Sequence, residues 1–305
     1  MNTAALLAEI NKVVRGKEAE VKKVLMAMLA DGHILLEDVP GVGKTTMALA
    51  FSKAMNLQFN RIQFTPDVTA SDIVGFNYFD KNKNQFVYHE GAIMANFVLG
   101  DEINRTSSRT QSALLEAMEE GAVTVDGTTY ELPKPFIVLA TQNPIGSAGT
   151  QPLPQAQLDR FLIKVSLGYP DFDSQVALLR DRQTTQPLQH VPAILNAEMI
   201  QQMKQEVQQI RLADSLLVYI TQVTVATRNH PEIIQGISPR GALAVCKMAK
   251  AHAYLAGRAF VIPEDILAIW QDTCAHRLVV GSHVNSREIL AEIIEQTPTP
   301  DEQLA

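Results

Sequence analysis

Short apolar runs alternate with helical patterns over the first half of the chain, which is typical of a parallel α/β sheet. Apolar residues recur at helical spacing from Glu18 to Ala30, and Gly32 follows as a stop signal. Further helices are predicted at Lys44–Met55 and at about Ser107–Glu120. Strands are predicted at His33–Glu37, Gln58–Phe64, Asn96–Gly100, Phe136–Ala140 and Ile163–Leu167.

Two segments interrupt this alternation. Thr65–Ala95 is polar and loop-rich around Asp80–Asn84, where a crossover helix alone would be enough to join two strands. Ala122–Tyr130 alternates apolar and polar residues around the dipeptide Asp126-Gly127, which is a strong hairpin-turn signal. We therefore expect an insert and a β-hairpin within the α/β half.

The strand signals stop after Pro170, so we expect the remainder to be helical. Ser238-Pro239 places an N-cap residue and a first-turn proline at the start of one helix. These patterns predict an α/β domain over residues 1–182 and a helical domain over residues 183–305. The predicted helices are Asp173–Arg182, Asn196–Gln209, Ser215–Thr227, Pro239–Ala256 and Pro263–His276.

Composition narrows the possible classes of protein. The 305 residues carry a net charge of −7, which does not favour broad binding to nucleic-acid phosphates. Cys246 and Cys274 have no metal-ligand spacing and are expected to be buried, reduced thiols. No window holds 18 consecutive apolar residues and the start lacks a signal-peptide pattern. We expect a cytoplasmic protein without a membrane span.

A glycine-rich loop, Pro40–Thr45, lies between a predicted buried strand and an amphipathic helix. Glycines let backbone N–H groups converge on a phosphate, and the helix adds the positive end of its dipole. Lys44 would reach the β- and γ-phosphates, and the Thr45 hydroxyl would ligate Mg²⁺. One position departs from the usual pattern, because Asp38 stands where its first glycine is expected.

A second candidate feature is the pair of carboxylates that ends the strand Asn96–Gly100. Asp101 would hold Mg²⁺ through water, and Glu102 would polarise the water that attacks the phosphate. An Asp-Glu pair after a strand is, taken alone, more often the start of a loop. Downstream of a phosphate-binding loop, we interpret it as catalytic.

Several segments of the chain, taken in order, resemble the MoxR family of AAA+ ATPases. The resemblance implies a five-stranded parallel sheet with a helical lid, in subunits that form a six-membered ring. It also makes Thr65–Ala95 similar to the helix-2 insert and Ala122–Tyr130 similar to the pre-sensor-1 hairpin of that clade. The segments that carry it are Val13–Gly16, Leu36–Thr45, Gly100–Arg105, Gln111–Glu119, Ala140–Pro144, Gln157–Phe161 and Ser238–Ala242.

Three further residues take a role from the resemblance. Asn143 matches sensor 1, an amide that orients the lytic water or contacts the γ-phosphate. Arg160 matches the arginine finger, and Arg240 matches sensor 2. Arg105 and Arg109 remain alternatives for the finger, because both follow the acidic strand.

The resemblance also implies the binding residues for ATP and Mg²⁺. Val14 and Gly16 match the segment that borders the adenine, although a simple helix–loop–helix corner would give the same pattern. Thr45 and Asp101 match the Mg²⁺ site. The phosphate-binding loop comprises Asp38, Val39, Pro40, Gly41, Val42, Gly43, Lys44, Thr45 and Thr46.

The leading hypothesis is an ATP-driven ring that remodels or matures protein partners, among which proteins with a von Willebrand A domain are suggested by the family. Three alternatives stay open at this point. They are a nucleic-acid translocase, the ATPase component of a metal-chelatase-like complex, and a non-catalytic nucleotide-gated scaffold. The presence of Lys44, Asp101 and Glu102 argues against the scaffold.

Overall fold

The computed structural model describes residues 3–143, 150–184 and 186–300. Pro144, the last residue of the segment Ala140–Pro144 that carries part of the family resemblance, lies outside the described residues. The strands are β1 Ile34–Glu37, β2 Phe59–Gln63, β3 Gly75–Asp80, β4 Gln85–Glu90, β5 Phe97–Asp101, β6 Ala122–Val125, β7 Thr128–Glu131, β8 Ile137–Gln142, β9 Ile163–Val165, β10 Ile233–Gln235 and β11 Val279–Val280. The α-helices are α1 Thr3–Val13, α2 Glu18–Leu29, α3 Lys44–Ala54, α4 Ala70–Val74, α5 Ser108–Glu120, α6 Gln155–Leu158, α7 Phe172–Thr184, α8 Ala197–Gln208, α9 Asp214–Asn229, α10 Pro239–Leu255, α11 Pro263–Cys274 and α12 Ser286–Gln296.

A five-stranded sheet with the order β2-β5-β8-β1-β9 forms the core of the α/β half. Strands β2 and β8 both pair in parallel with β5, with Phe97 opposite Phe59 on one side and Ile137 on the other. Strands β5 and β8 are buried along their whole length, as their continuous apolar runs predict. The predicted sheet is confirmed, and its strand bounds agree to within about two residues.

Both predicted interruptions contain a β-hairpin. The hairpin β6–β7 is confirmed, and its turn residues Asp126 and Gly127 have positive φ angles of 49° and 81°. The insert contains more structure than its polar composition suggests, because α4 is followed by the hairpin β3–β4 in unbroken register from Gly75 opposite Glu90. Strands β3 and β4 are rich in aromatic residues, which are common in strands.

The second half is mainly helical, and the five helices predicted there are present. The expectation that strands stop after Pro170 is wrong, because β10 and β11 pair in an antiparallel two-stranded sheet with Ile233 opposite Val280. Strands of two or three residues are too short to give a periodic pattern. Cys274 is buried as expected, whereas Cys246 is only partly buried.

The chain packs as two compact units. The described parts of the first lie within Met1–Lys22, Leu35–Leu153 and Ser166–Gln201, and those of the second within Lys23–Ile34, Pro154–Val165 and Gln202–Ala305. A domain boundary after residue 182 stays a prediction. Over the part of the chain that the structure describes, no helix is long and apolar enough to cross a membrane.

Candidate nucleotide-binding site

The carboxyl ends of β1, β5 and β8 meet at one edge of the sheet, where open α/β sheets commonly bind ligands. A cavity of about 260 Å³ lies there. It brings together most of the predicted site residues, although they are up to 103 positions apart in sequence, from Pro40 to Asn143. Its lining consists of Pro40, Gly41, Gly43, Lys44, Thr45, Thr46, Asp101, Glu102 and Asn143.

The glycine-rich loop has the backbone that a phosphate cradle needs. Gly41 and Gly43 have φ angles of 87° and 102°, in the left-handed region that favours glycine. A Cβ added at either position would meet no described atom within 4 Å, so the space in front of the loop is open. Gly43 is the N-cap of α3, and the first N–H groups of that helix have no helical partner. The loop can therefore present several N–H donors to an anion.

The Lys44 side chain lies along its own loop. Its Nζ atom donates to the backbone oxygen of Asp38 at 2.6 Å and approaches the oxygen of Val39 at 3.4 Å. Burial lowers the pKa of the ammonium group, and the nearby carboxylates of Asp38, Asp101 and Glu102 oppose that shift. The Lys44 ammonium group now contacts only loop carbonyl oxygens among these contacts, and a bound polyphosphate would give it a negatively charged partner.

Asp38, the departure from the usual glycine pattern, has a structural role at the base of the loop. One carboxylate oxygen accepts hydrogen bonds from the Ser166 hydroxyl at 3.0 Å and the Gly168 N–H at 2.6 Å. The other accepts from the Val39 N–H at 2.9 Å. These bonds hold the carboxylate against the segment after β9, and Asp38 is absent from the lining of the cavity. The substitution of glycine by Asp38 thus leaves the phosphate cradle open.

We expect Asp38→Gly to destabilise the protein, although it restores the more usual residue. It removes three hydrogen bonds to a buried carboxylate and leaves the donors of Ser166 and Gly168 unpaired, which costs about 1–3 kcal/mol for a buried polar group. Chemical denaturation measures the loss. Asp38→Asn is the matched control, since its amide oxygen can still accept from Gly168. Equal stability of Asp38→Gly and the wild type would contradict this role.

Asp101 is buried at the end of β5 and is held on both sides. Its Oδ1 atom accepts from the Thr141 hydroxyl at 2.6 Å, and its Oδ2 atom pairs with Nη2 of Arg61 at 2.5 Å. Thr141 also accepts from the Glu102 N–H at 2.9 Å, which ties β8 to the first residue after β5. The carboxylate is a hard oxygen ligand of the kind that Mg²⁺ prefers, and Asp101 lines the same cavity as Thr45.

The backbone of Glu102 is in the left-handed region, with φ 59°, which is uncommon for a residue with a side chain. One carboxylate oxygen accepts from the Asn143 amide at 3.1 Å. The other accepts from Nη1 of Arg105 at 2.8 Å and from the Gln63 amide at 3.3 Å. The predicted base and the predicted sensor amide are therefore direct neighbours, although 41 positions separate them in the sequence.

The position of Asn143 depends on Asn104, which the sequence analysis did not single out. Asn104 is 3% exposed and bonds both backbone groups of Asn143: its Nδ2 donates to the oxygen at 3.1 Å and its Oδ1 accepts from the N–H at 3.4 Å. Gln111 in turn donates to the backbone oxygen of Ile103 at 3.1 Å. The sequence does carry a signal for the two residues that contact Asp101 and Glu102 from β2. Arg61 and Gln63 are polar residues at alternate positions of a short strand in a parallel sheet.

Val14 and Gly16 are not among the residues that line this cavity. They lie at the corner that follows α1, in the first unit. Gly16 has φ 67°, and a Cβ there would lie 2.3 Å from the Ser174 hydroxyl oxygen, so only glycine fits against the start of α7. The nearby Arg15 pairs with Asp181 at 2.9 Å, so this corner is fixed to α7.

The candidate arginines lie in different parts of the chain. Arg160 follows α6 and Arg240 is exposed in the first turn of α10, both within the second unit. Arg105 and Arg109 belong to the first unit, where Arg105 is engaged by Glu102 and Arg109 is exposed on α5.

Comparison with known families gives two matches along the chain. Residues 33–163 match the family described as ATPase family associated with various cellular activities (AAA). Residues 225–297 match the AAA lid domain. The first match covers the glycine-rich loop and the carboxylates at the end of β5, and the second covers the helix that carries Arg240.

Individual relatives extend over nearly the whole chain. The uncharacterised protein YeaC of Bacillus subtilis is 47% identical, over 93% of this chain and 89% of its own length. Chaperone MoxR1 of Mycobacterium tuberculosis is 36% identical, over 94% of this chain and 78% of its own length. The crystal structure of a candidate ATPase from Cytophaga hutchinsonii superposes with a TM-score of 0.90 at 36% identity, over 98% of this chain and 94% of that one.

Proposed function

Because the chain belongs to the MoxR family of AAA+ ATPases, we propose that it binds and hydrolyses ATP, with Mg²⁺, in the cavity at the carboxyl ends of β1, β5 and β8. The observation that carries the proposal is the convergence of Lys44, Asp101, Glu102 and Asn143 on one cavity. These are a cation for the phosphates, a metal ligand, a base and a polar amide, the set that phosphoryl transfer to water requires.

The residues present fit a nucleotide and its metal. The open space before Gly41 and Gly43 and the free N–H groups of α3 suit the phosphates. The Thr45 hydroxyl and the Asp101 carboxylate offer oxygen ligands for Mg²⁺. When bound, Mg²⁺ would neutralise part of the phosphate charge. Lys44 would exchange its contacts with the loop carbonyls for contacts with the phosphates.

Glu102 and Asn143 would act on the attacking water. A carboxylate beside the metal ligand can accept a proton from water, and the neighbouring amide can orient that water or contact the γ-phosphate. Their 3.1 Å hydrogen bond supports the assignment, since it places both groups at the same end of the cavity. The Arg105 hydrogen bond at 2.8 Å holds the carboxylate of Glu102 in position.

We expect ATP with Mg²⁺ to raise the melting temperature of the wild-type protein and to have much less effect on Lys44→Ala. A ligand that binds only the folded state stabilises it by about 2.7 kcal/mol at a hundred times its Kd. Removal of the Lys44 ammonium takes away the main cation of the cavity and weakens that binding.

The control for this measurement is Lys53→Ala, which removes an exposed lysine from the last turn of the same helix α3. It should show the same shift with ATP as the wild type. An equal shift for Lys44→Ala and the wild type would place the nucleotide elsewhere and would refute the proposed site.

We further propose a cytoplasmic, hexameric ring in which ATP hydrolysis remodels a protein client, with von Willebrand A domain proteins as the first class to test. The hairpins β3–β4 and β6–β7 support a mechanical role, because they contact each other. The Tyr88 and Tyr130 rings stack at 3.9 Å, and the Asn77 amide donates to Asp126 at 2.9 Å. Phe86, beside the turn of the insert, is 73% exposed and available to a partner.

A further inference from the structure

Arg277 forms a buried network in the second unit that the proposed reaction does not use directly. It ends a short 3-10 helix after α11, and only 2% of its side chain is exposed. Its guanidinium donates to the backbone oxygens of Phe161 at 2.8 Å and Asp159 at 3.3 Å. It also donates to the backbone oxygen of Thr273 at 2.5 Å. One rigid side chain thus holds carbonyl groups from two separate segments.

The two carbonyls at positions 159 and 161 belong to the residues on either side of Arg160. The neutral ring of His276, whose pKa burial lowers well below its ordinary value, lies with its Nε2 atom 3.0 Å from the same Phe161 oxygen. The backbone that carries the predicted arginine finger is therefore fixed from its buried side. The Arg160 side chain itself is only partly buried.

The same network reaches the start of α10, which carries Arg240. Oδ1 of Asp159 lies 2.9 Å from Nε of Arg277, an ion contact without the alignment of a hydrogen bond. Oδ2 of Asp159 accepts from the Ser238 hydroxyl at 2.9 Å. Ser238 also caps the helix, since its Oγ atom accepts from the Gly241 N–H at 3.1 Å. The carboxylate thus joins Arg277 to the cap of the helix.

Gly241 completes the arrangement on the other side of Arg240. A Cβ at this position would lie 2.9 Å from Cδ of Arg277 and 2.6 Å from Cγ2 of Ile237. Only a glycine lets the helix approach the guanidinium so closely. Arg240 is consequently bracketed, as Arg160 is, by residues that contact the Arg277–Asp159 pair.

We propose that Arg277, through Asp159 and Ser238, is the positioning residue that sets the backbone of Arg160 and Arg240 together. The inference rests on the proposed function of those two arginines. A buried guanidinium with several fixed acceptors allows little displacement of either segment. Catalytic groups that act on a γ-phosphate need such precision, because a misplacement of 1 Å can lower a rate by about a hundredfold.

A second buried cluster in the same unit provides the control for a merely structural role. Asp265 has no exposed surface and pairs with Arg258, whose Nη1 lies 2.7 Å from Oδ2. It also accepts from His252 at 2.6 Å and from the Ile262 N–H at 2.8 Å. This cluster caps α11, and its carboxylate is held by His252, Arg258 and the Ile262 N–H.

The test compares Asp159→Asn with Asp265→Asn, in the full-length protein. Both exchanges remove one negative charge that lies beside an arginine, so both should lower the melting temperature. Asp159→Asn should also lower kcat for ATP by about 10- to 100-fold while KM changes far less, because the arginines are displaced but the ATP cavity is intact. Asp265→Asn should keep wild-type kcat for the folded fraction.

If Asp159→Asn does not fold, two milder substitutions at Ser238 still test the proposal. Ser238→Ala removes the hydroxyl that joins the cap to Asp159, and Ser238→Thr retains it. We expect Ser238→Ala to lower kcat by several-fold and Ser238→Thr to restore it. Loss of a helix cap alone would lower the melting temperature without a change in kcat.

Arg160→Ala and Arg240→Ala separate this inference from the function on which it rests. If both keep wild-type kcat, the proposed roles of the arginines are wrong and the inference falls with them. A second outcome would overturn the positioning inference alone. In that outcome Arg160→Ala or Arg240→Ala loses kcat, but Ser238→Ala keeps wild-type kcat, and so does Asp159→Asn if it folds. Loss of kcat in the Ser238→Ala and Asp159→Asn variants, with Ser238→Thr and Asp265→Asn unchanged, supports it.

Discussion

Glu102→Gln is expected to bind ATP with near wild-type affinity and to lose its hydrolysis. The amide has the size of the carboxylate and can still accept a hydrogen bond from Arg105, which now lies 2.8 Å away, but it cannot take a proton from water. A general base contributes about 10²- to 10⁴-fold to a rate. A loss of this size corresponds to about 3–5 kcal/mol of activation barrier.

Steady-state ATP turnover and the Kd for ATP, measured on the same preparation, check this expectation. Lys44→Ala is the contrasting variant, because it should lose binding as well as turnover. Glu120→Gln is the matched control, since it makes the same exchange at an exposed position at the end of α5. Normal turnover by Glu102→Gln would remove its assignment as the base.

The same variant offers a way to identify the client. A subunit that holds ATP without hydrolysing it should stay in the client-bound state if hydrolysis drives release. Proteins retained by Glu102→Gln in ATP, and not by Lys44→Ala, are then candidates. The presence of a von Willebrand A domain among them would support the proposed client class.

The central sheet was predictable because burial on both faces leaves a continuous apolar run in the sequence. Asn96–Gly100 and Phe136–Ala140 are such runs, and β5 and β8 lie within about two residues of them. Hairpin β6–β7 was predictable for a different reason, since Asp126-Gly127 encodes the turn. In both cases local sequence and tertiary environment agree.

The insert and the small sheet β10–β11 were not predictable in the same way. The polar turn Asp80–Asn84 dominates the composition of the insert, and β3 and β4 on either side lack a regular alternation of apolar and polar residues. Strands β10 and β11 are stabilised by each other although more than forty residues separate them. No local pattern can report such a pairing.

The candidate site also contains residues that local sequence identifies and residues that it does not. The residues proposed to touch the ligand belong to short local patterns, and Lys44, Asp101 and Glu102 were identified from them. Residues that hold those groups in place come from other strands and loops. Asn104 on Asn143 is one example and Arg61 on Asp101 is another, and their roles depend on sheet order.

The structure adds an argument to the choice among the candidate fingers. Arg105 forms an ion pair at 2.8 Å with Glu102 of its own chain, so its charge is already paired with the predicted base. Arg160 is instead held in the second unit by the backbone contacts of Arg277. We therefore favour Arg160 as the residue that acts on the nucleotide of the adjacent subunit.

On this basis Arg160→Ala should bind ATP and be almost inactive. An arginine finger is worth roughly 10³- to 10⁵-fold in rate, which is about 4–7 kcal/mol of barrier. An exposed ion pair contributes only about 0–1 kcal/mol to stability, so a structural role for Arg160 predicts a far smaller effect. ATP turnover and ATP affinity of the purified variant distinguish the two.

Mixing experiments test whether Arg160 acts between subunits. Arg160→Ala subunits retain Lys44, and Lys44→Ala subunits retain Arg160, so a mixed ring contains sites at which both residues are intact. Co-assembly, verified by size-exclusion chromatography in ATP, should therefore restore part of the activity that each variant lacks alone. Lys53→Ala mixed with Arg160→Ala serves as the reference for simple dilution, because its own sites are complete. If the co-assembled inactive pair stays inactive, Arg160 does not act in trans, and Arg109 or a released Arg105 becomes the better candidate.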